Sequence, residues 1–229
     1  MAKSKSKYKG ITTQAMAREI ARLESLIPSD YPRSDDACDT ARYHVYDASE
    51  TVEDASRMIA YSRAATQRLR RILDAATTLD PATREAITDG IDNAECGTEQ
   101  LEHDTASLKD DADQLKYIVD EIHDMADQAR ALIAEWWDIS DGVPAWEMGQ
   151  WHDRIRVMAD SLSSMLHFAA EQIDYIARSA RDVGFRADVS IDEDLSAVIT
   201  LMGKHGIFDR GNDAYLDFID AVHKDMESA

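Results

Sequence analysis

The sequence predicts an all-α protein: an elongated antiparallel three-helix coiled-coil-like bundle with short N- and C-terminal helices. Two observations carry that prediction. Glycine and proline are scarce and gather at a few places, leaving long stretches rich in Ala, Leu, Asp, Arg and Gln, which are helical by propensity. Within those stretches small and apolar residues recur by alternating steps of three and four, and charge avoids the same positions. That rhythm marks helices packed at shallow angles.

Taken in order, Ile11 to Ile27 reads as a short amphipathic helix with Met16, Ile20, Leu23 and Ile27 on one face. A first stripe of small residues runs Ala37, Ala41, His44, Ala48, Thr51, Ala55 and onward to Leu79. A second runs Ile91, Ala94, Thr98, Leu101, Thr105, Leu108, Ala112, Leu115, Val119, Ile122, Ala126, Ala129, Ile133, Trp136, without a single charge in the most acidic part of the chain. A third runs from Met148 through Trp151, Ile155, Met158 and Leu162 to Val183. The stripes predict helices over roughly 36–79, 83–138 and 145–183, the first about 65 Å and the second about 80 Å long. Short connectors make neighbours antiparallel. "SDD" at 34–36 and "DPATRE" at 80–85 read as helix starts, with Asp80 as cap and Pro81 in the first turn. Gly184 marks the end of the third helix. Beyond it, "IDEDLSAVITLMGKHG" and "DAYLDFIDAVHKDM" read as two shorter helices. The expected organisation is a basic flexible tail (1–10), a short N-terminal helix (11–33), the long bundle (34–184) and a small C-terminal helical cap (185–229).

Several classes are disfavoured by composition. No apolar run reaches the ~18 residues of a membrane span. The basic start "MAKSKSKYKG" is followed by no apolar segment of a secretory signal, so a cytoplasmic location is expected. Cys38 and Cys96 have no metal-ligand spacing, and an antiparallel hairpin would separate them widely, so both are expected as thiols. A net charge of −20 disfavours direct nucleic-acid binding by the main body.

For chemistry, Glu99-x-x-Glu102 is followed by Glu121-x-x-Asp124. This spelling resembles the ExxE…ExxD pattern of all-α nucleotide pyrophosphatases of the MazG and dimeric dUTPase kind. The resemblance implies four carboxylates on two facing helices that hold magnesium against a triphosphate. The second stripe instead predicts one continuous helix through both pairs, which would keep them more than ~25 Å apart. Asp120-x-x-His123 has the spacing of half a di-iron site, but it has no second copy and lies off the seam. His44 is on a seam and alone. No nucleophile–histidine motif, glycine-rich phosphate loop or zinc pattern is present. A non-enzymatic protein without cofactor or metal is therefore expected.

Charge distribution points elsewhere. Residues 85–138 hold sixteen Asp/Glu against three Lys/Arg, a net of −13, while the neighbouring segments are close to balanced. A high-salt cytoplasm or a high-GC genome also raises acidity, and a high-salt cytoplasm alone would spread it more widely. Arg57, Arg63, Arg68, Arg70 and Arg71 gather towards one end of the first long helix. The expected function is protein–protein interaction, as an adaptor or structural protein, through an acidic docking face formed by Glu102, Asp104, Asp110, Asp111, Asp113, Asp120, Glu121, Asp124 and Asp127. The partner would carry a basic surface. One alternative is an acidic DNA mimic that blocks a nucleic-acid-binding protein, as phage anti-restriction and anti-CRISPR proteins do. A further expected contact is the tryptophan group: Trp136 and Trp151 fall on seams, whereas Trp137 and Trp146 lie off them and are candidates for partner contact. Homodimerisation is a second way for so slender a bundle to bury more apolar surface.

Overall fold

A computed structural model describes residues 13–28, 37–139, 143–207 and 212–227, with the side chains of 37, 145, 146, 212–216 and 227 outside the description. The described chain is all-α. Helices α1 (Thr13–Leu26), α2 (Ala37–Ala75), α3 (Pro81–Ile139) and α4 (Ala145–Phe185) are followed by a π-helical turn (Arg186–Ser190), α5 (Ile191–Lys204) and α6 (Asn212–Glu227). The three long helices lie close to their predicted spans. The "SDD" start at 34–36 and the basic tail at 1–10 lie outside the described residues. No helix among the described residues is long and apolar enough to cross a membrane. Cys38 is a buried thiol and Cys96 an exposed one.

The second stripe is core throughout, whereas the first and third are buried in part: beyond Ala55 the buried seam of α2 runs through Ile59, Ser62, Thr66, Leu69 and Leu73, and Met58 and Ile72 of the predicted stripe are half-buried. Every residue of the second stripe, from Ile91 to Trp136, is buried, and the polar members Thr98 and Thr105 satisfy themselves within α3. Their hydroxyls donate to the carbonyls of Ala94 (2.7 Å) and Leu101 (2.6 Å) one turn earlier. Met16, Ile20 and Leu23 bury the single apolar face of α1.

The chain divides into two compact units, and the division passes through the three long helices: unit 1 is Met1–Val45 with Asp113–Tyr175, and unit 2 is Tyr46–Ala112 with Ile176–Ala229. In unit 1, α3 and α4 run antiparallel. Trp136 meets Trp151 with ring centres 6.0 Å apart, and Glu135 reaches Arg154 at 4.0 Å. α1 is tied to α4 by Arg22 Nη2 on Asp160 Oδ1 (2.8 Å), and the chain after α1 is tied to α3 by Arg130 Nη2 on the Pro28 carbonyl (2.9 Å).

In unit 2, α2 and α3 are antiparallel neighbours. Asp80 caps α3: its Oδ1 accepts from the Thr83 backbone N–H (3.0 Å), and the Thr83 hydroxyl donates to Oδ2 (2.6 Å). Arg84 reaches back to the Ala76 carbonyl just past the end of α2, closing the turn. At the α2–α3 seam, Ser62 and Thr98 hydroxyls meet at 2.6 Å. The Thr98 proton is already given to Ala94, so Ser62 is the donor.

Two features of unit 2 depart from the sequence reading. α4 does not stop at Val183; it continues through Gly184 to Phe185 and joins α5 by the π turn, in which the Ile191 N–H bonds to the Arg186 carbonyl. The buried series Val183, Ala187, Ile191, Leu195 explains it. That series steps by four three times running, one residue more than the alternation of three and four allows. A single i→i+5 turn absorbs the extra residue and keeps the seam on one side. The second feature is a close approach of α3 and α5 at two glycines. A Cβ on Gly90 would lie 3.0 Å from Val198 Cγ2, and one on Gly97 would lie 3.3 Å from Asp194 Oδ2. The pair repeats at seven residues, so both glycines face α5.

Candidate functional site

The acidic run belongs to α3, and a helix that buries one stripe along its whole length leaves its charges to the other faces. Glu102, Asp110, Asp113, Asp120, Glu121, Asp124 and Asp127 are exposed. Asp104 and Asp111, seven residues apart on the flank of the seam, are half-buried. The nine carboxylates are thus an outward set and a flanking pair.

Within unit 2 four of the nine acids of α3, Asp92, Glu95, Glu102 and Asp104, are answered by arginines, while Glu85, Asp89, Glu99 and Asp110 are exposed and pair with no cation among the described residues. Glu102 is paired with Arg63 of α2. Arg70 sets Nε on Glu95 Oε1 (2.8 Å) and Nη2 on Glu95 Oε2 (2.6 Å), and also reaches Asp92. The bonds to Glu95 first and Asp92 second raise the guanidinium's affinity for its proton. Arg186 of the π turn donates to Asp104 (2.7 Å), which also accepts from Gln100 (2.8 Å). Arg68 and Arg71 both approach Asp225 of α6, at 3.0 and 4.0 Å, and Arg57 pairs with Asp54 on its own helix. All five arginines gathered on α2 therefore face carboxylates of the same unit. The sequence reading missed this pairing, though a signal for it exists. Arg63 and Arg70 are seven apart on α2, as Glu95 and Glu102 are on α3, the spacing of interhelical bridges beside an antiparallel seam.

Asp111 differs from the rest. Its Oδ2 is buried without a hydrogen-bond partner among the described residues. Burial first, and the charge of Asp110 second, push its carboxyl above the usual aspartate range.

In unit 1, Asp127 pairs with Arg130 one turn on (2.7 Å), and the Tyr117 hydroxyl donates to Glu121 (2.8 Å). That bond to Glu121 holds the phenol's pKa above its ordinary value. Asp113, Asp120 and Asp124 make no hydrogen bond or ion pair with a described residue, and neither does Asp110 in unit 2. Trp136 and Trp151 are buried against each other, with the Arg154 guanidinium 4.5 Å from the centre of the Trp151 ring. Trp137 is 58% exposed. The side chain of Trp146 lies outside the described residues.

Glu99, Glu102, Glu121 and Asp124 all stand on α3, one uninterrupted helix, and not on two facing helices. Among the described residues no group of three or more His, Cys, Asp or Glu is arranged to hold a metal ion. His44 and His123 are half-buried, and each leaves one ring nitrogen without a partner among the described residues. Compared with known proteins, the chain matches no family model, no curated protein and no solved structure.

Proposed function

We propose that the chain is a non-enzymatic, cytoplasmic protein-interaction module that docks a basic partner on the outward acidic face of α3. What supports this reading is that exposed acids of α3 find no cation among the described residues, because the arginines nearest to hand are already engaged. The arginines of α2 are matched to carboxylates of their own unit, while Asp110, Asp113, Asp120 and Asp124 stand exposed without a partner among the described residues. Like charges held close on one face repel one another, and a basic partner relieves that repulsion on docking. A DNA-mimic inhibitor is the narrower form of the same reading, in which the basic surface is a nucleic-acid cleft.

The test is affinity capture with the wild-type chain and with D110N/D113N/D120N/D124N as baits, at about 0.05 M and about 0.5 M salt. The wild type retains its partner at low salt and loses it at high salt, and the neutralised bait loses it at both while keeping its helical circular dichroism. Equal capture by the two baits overturns the reading. For the inhibitor form, duplex DNA displaces the captured partner from the bait.

A further inference from the structure

Unit 1 carries a cleft of about 670 Å³ between α3 and α4. Its apolar wall is made by Met125 and Leu132 of α3 and by Val157 and Met158 of α4. Val157 is 58% exposed and stands beside Met158 on the cleft wall, while Ile155, Ala159 and Leu162 of the same helix are buried. A furrow between two antiparallel helices is where a third helix packs, ridges into groove. Two methionines give the wall the adaptable surface common in helix-binding grooves.

The charge around the cleft selects what fits. Glu135 lies in its lining, and Gln128 marks its α3 edge. Asp124 stands one turn before Gln128 on the same face, and Glu121 one turn before Met125. The acidic face therefore continues into the cleft without a break. Arg154 in the opposite wall is occupied by Glu135 and by the Trp151 ring. An apolar floor with a carboxylate edge complements a helix that is apolar on one side and rich in Lys or Arg beside it.

We infer that the α3–α4 cleft of unit 1 is the docking groove for a basic amphipathic helix of a partner protein, seated on Met125, Leu132, Val157 and Met158 with its cations over Glu121 and Asp124. The inference rests on the acidic-face reading and deepens it by naming the shape of the partner. It adds an apolar, salt-insensitive component that the face alone does not have.

A leucine–lysine peptide of about 18 residues, with leucine at i, i+3, i+4 and i+7, serves as the probe. A scrambled peptide of the same composition is the control, and fluorescence anisotropy against the full chain is the readout. The ordered peptide binds roughly tenfold tighter than the scrambled one. Val157→Lys, at an exposed position that leaves the core intact, removes that difference. D120N/D124N weakens both peptides alike at low salt and leaves the preference for the ordered one at high salt. If the two peptides bind alike, if Val157→Lys keeps the preference, or if the ordered peptide does not bind, the groove assignment is overturned. The first two of those outcomes, combined with a loss in D120N/D124N, leave the acidic face standing. Sedimentation of the chain alone completes the test: a wild-type dimer that Val157→Lys converts to monomer overturns the partner helix and assigns the groove to a second copy.

Discussion

Asp80 shows how much one residue decides. Its carboxylate accepts the Thr83 N–H and hydroxyl at the start of a helix of 59 residues, and these bonds, the hydroxyl first, hold its pKa below the ordinary 3.8. A carboxyl whose folded pKa is depressed contributes stability that is present above its unfolded pKa and is lost as pH falls through the folded one. Asp80→Ala is therefore expected to lower the thermal midpoint at pH 7, and the gap between variant and wild type closes as pH falls below 3.8. Melting curves by circular dichroism across that range check it; a gap unchanged in acid means the carboxylate is not the cap. Asp111 teaches the opposite lesson. Charge alone groups it with the outward acids, yet it sits on the flank of the seam with one oxygen buried and unpaired among the described residues. Its spacing from Ala112 and Leu115 places it beside the seam, but how far a neighbouring helix covers a flank is not a property of spacing.

At the scale of elements, the glycines of α3 are the sharpest case. A glycine inside a helix costs about 1 kcal/mol relative to alanine, and α3 carries two, both turned to α5. The two sites differ in what a methyl group would meet. At Gly97 the nearest atom is an Asp194 carboxylate oxygen, which can rotate away. At Gly90 it is a methyl of Val198, whose β-branched side chain has one good rotamer in a helix. Gly97→Ala is expected to gain about 0.5–1 kcal/mol, a rise of ~2–3 °C in the thermal midpoint. Gly90→Ala gains nothing or loses stability. Equal gains at both sites would show that α5 does not approach α3 closely at Gly90. Element existence was legible here because the repeat is long and uncharged. The π turn was legible only in hindsight: three successive steps of four in Val183, Ala187, Ile191 and Leu195 spell the extra residue, but Gly184 read as a stop.

For the whole molecule, a net charge of −20 is the dominant fact. The ion pairs that answer it are partly exposed, Arg63 and Glu102 each about half so, and exposed pairs add little stability. Repulsion along α3 should outweigh them. Added salt screens that repulsion, so the thermal midpoint is expected to rise by roughly 5 °C between about 0.02 and about 0.5 M sodium chloride. A midpoint that falls with salt would mean that the internal arginine pairs carry more than the repulsion costs. The same screening weakens a basic partner's grip, so fold and docking should respond to salt with opposite signs.

The sequence alone is enough to say that this protein is helical, where its long helices run, which stripe α3 buries, and that α3 holds most of the negative charge. Those properties follow from a local period of three and four and need no knowledge of neighbours. Only the tertiary structure decided which acids are answered and which are left open. Arg63, Arg70 and Arg186 reach Glu102, Glu95 and Asp104 because α2 and the π turn bring them alongside in a particular register. The cleft beside Val157 likewise depends on how the side chains of the consecutive helices α3 and α4 interlock and where they leave a furrow, which the period of the stripes does not set. Register and proximity between distant segments are set by how side chains interlock across a seam, and a one-dimensional pattern of stripes fits more than one such arrangement.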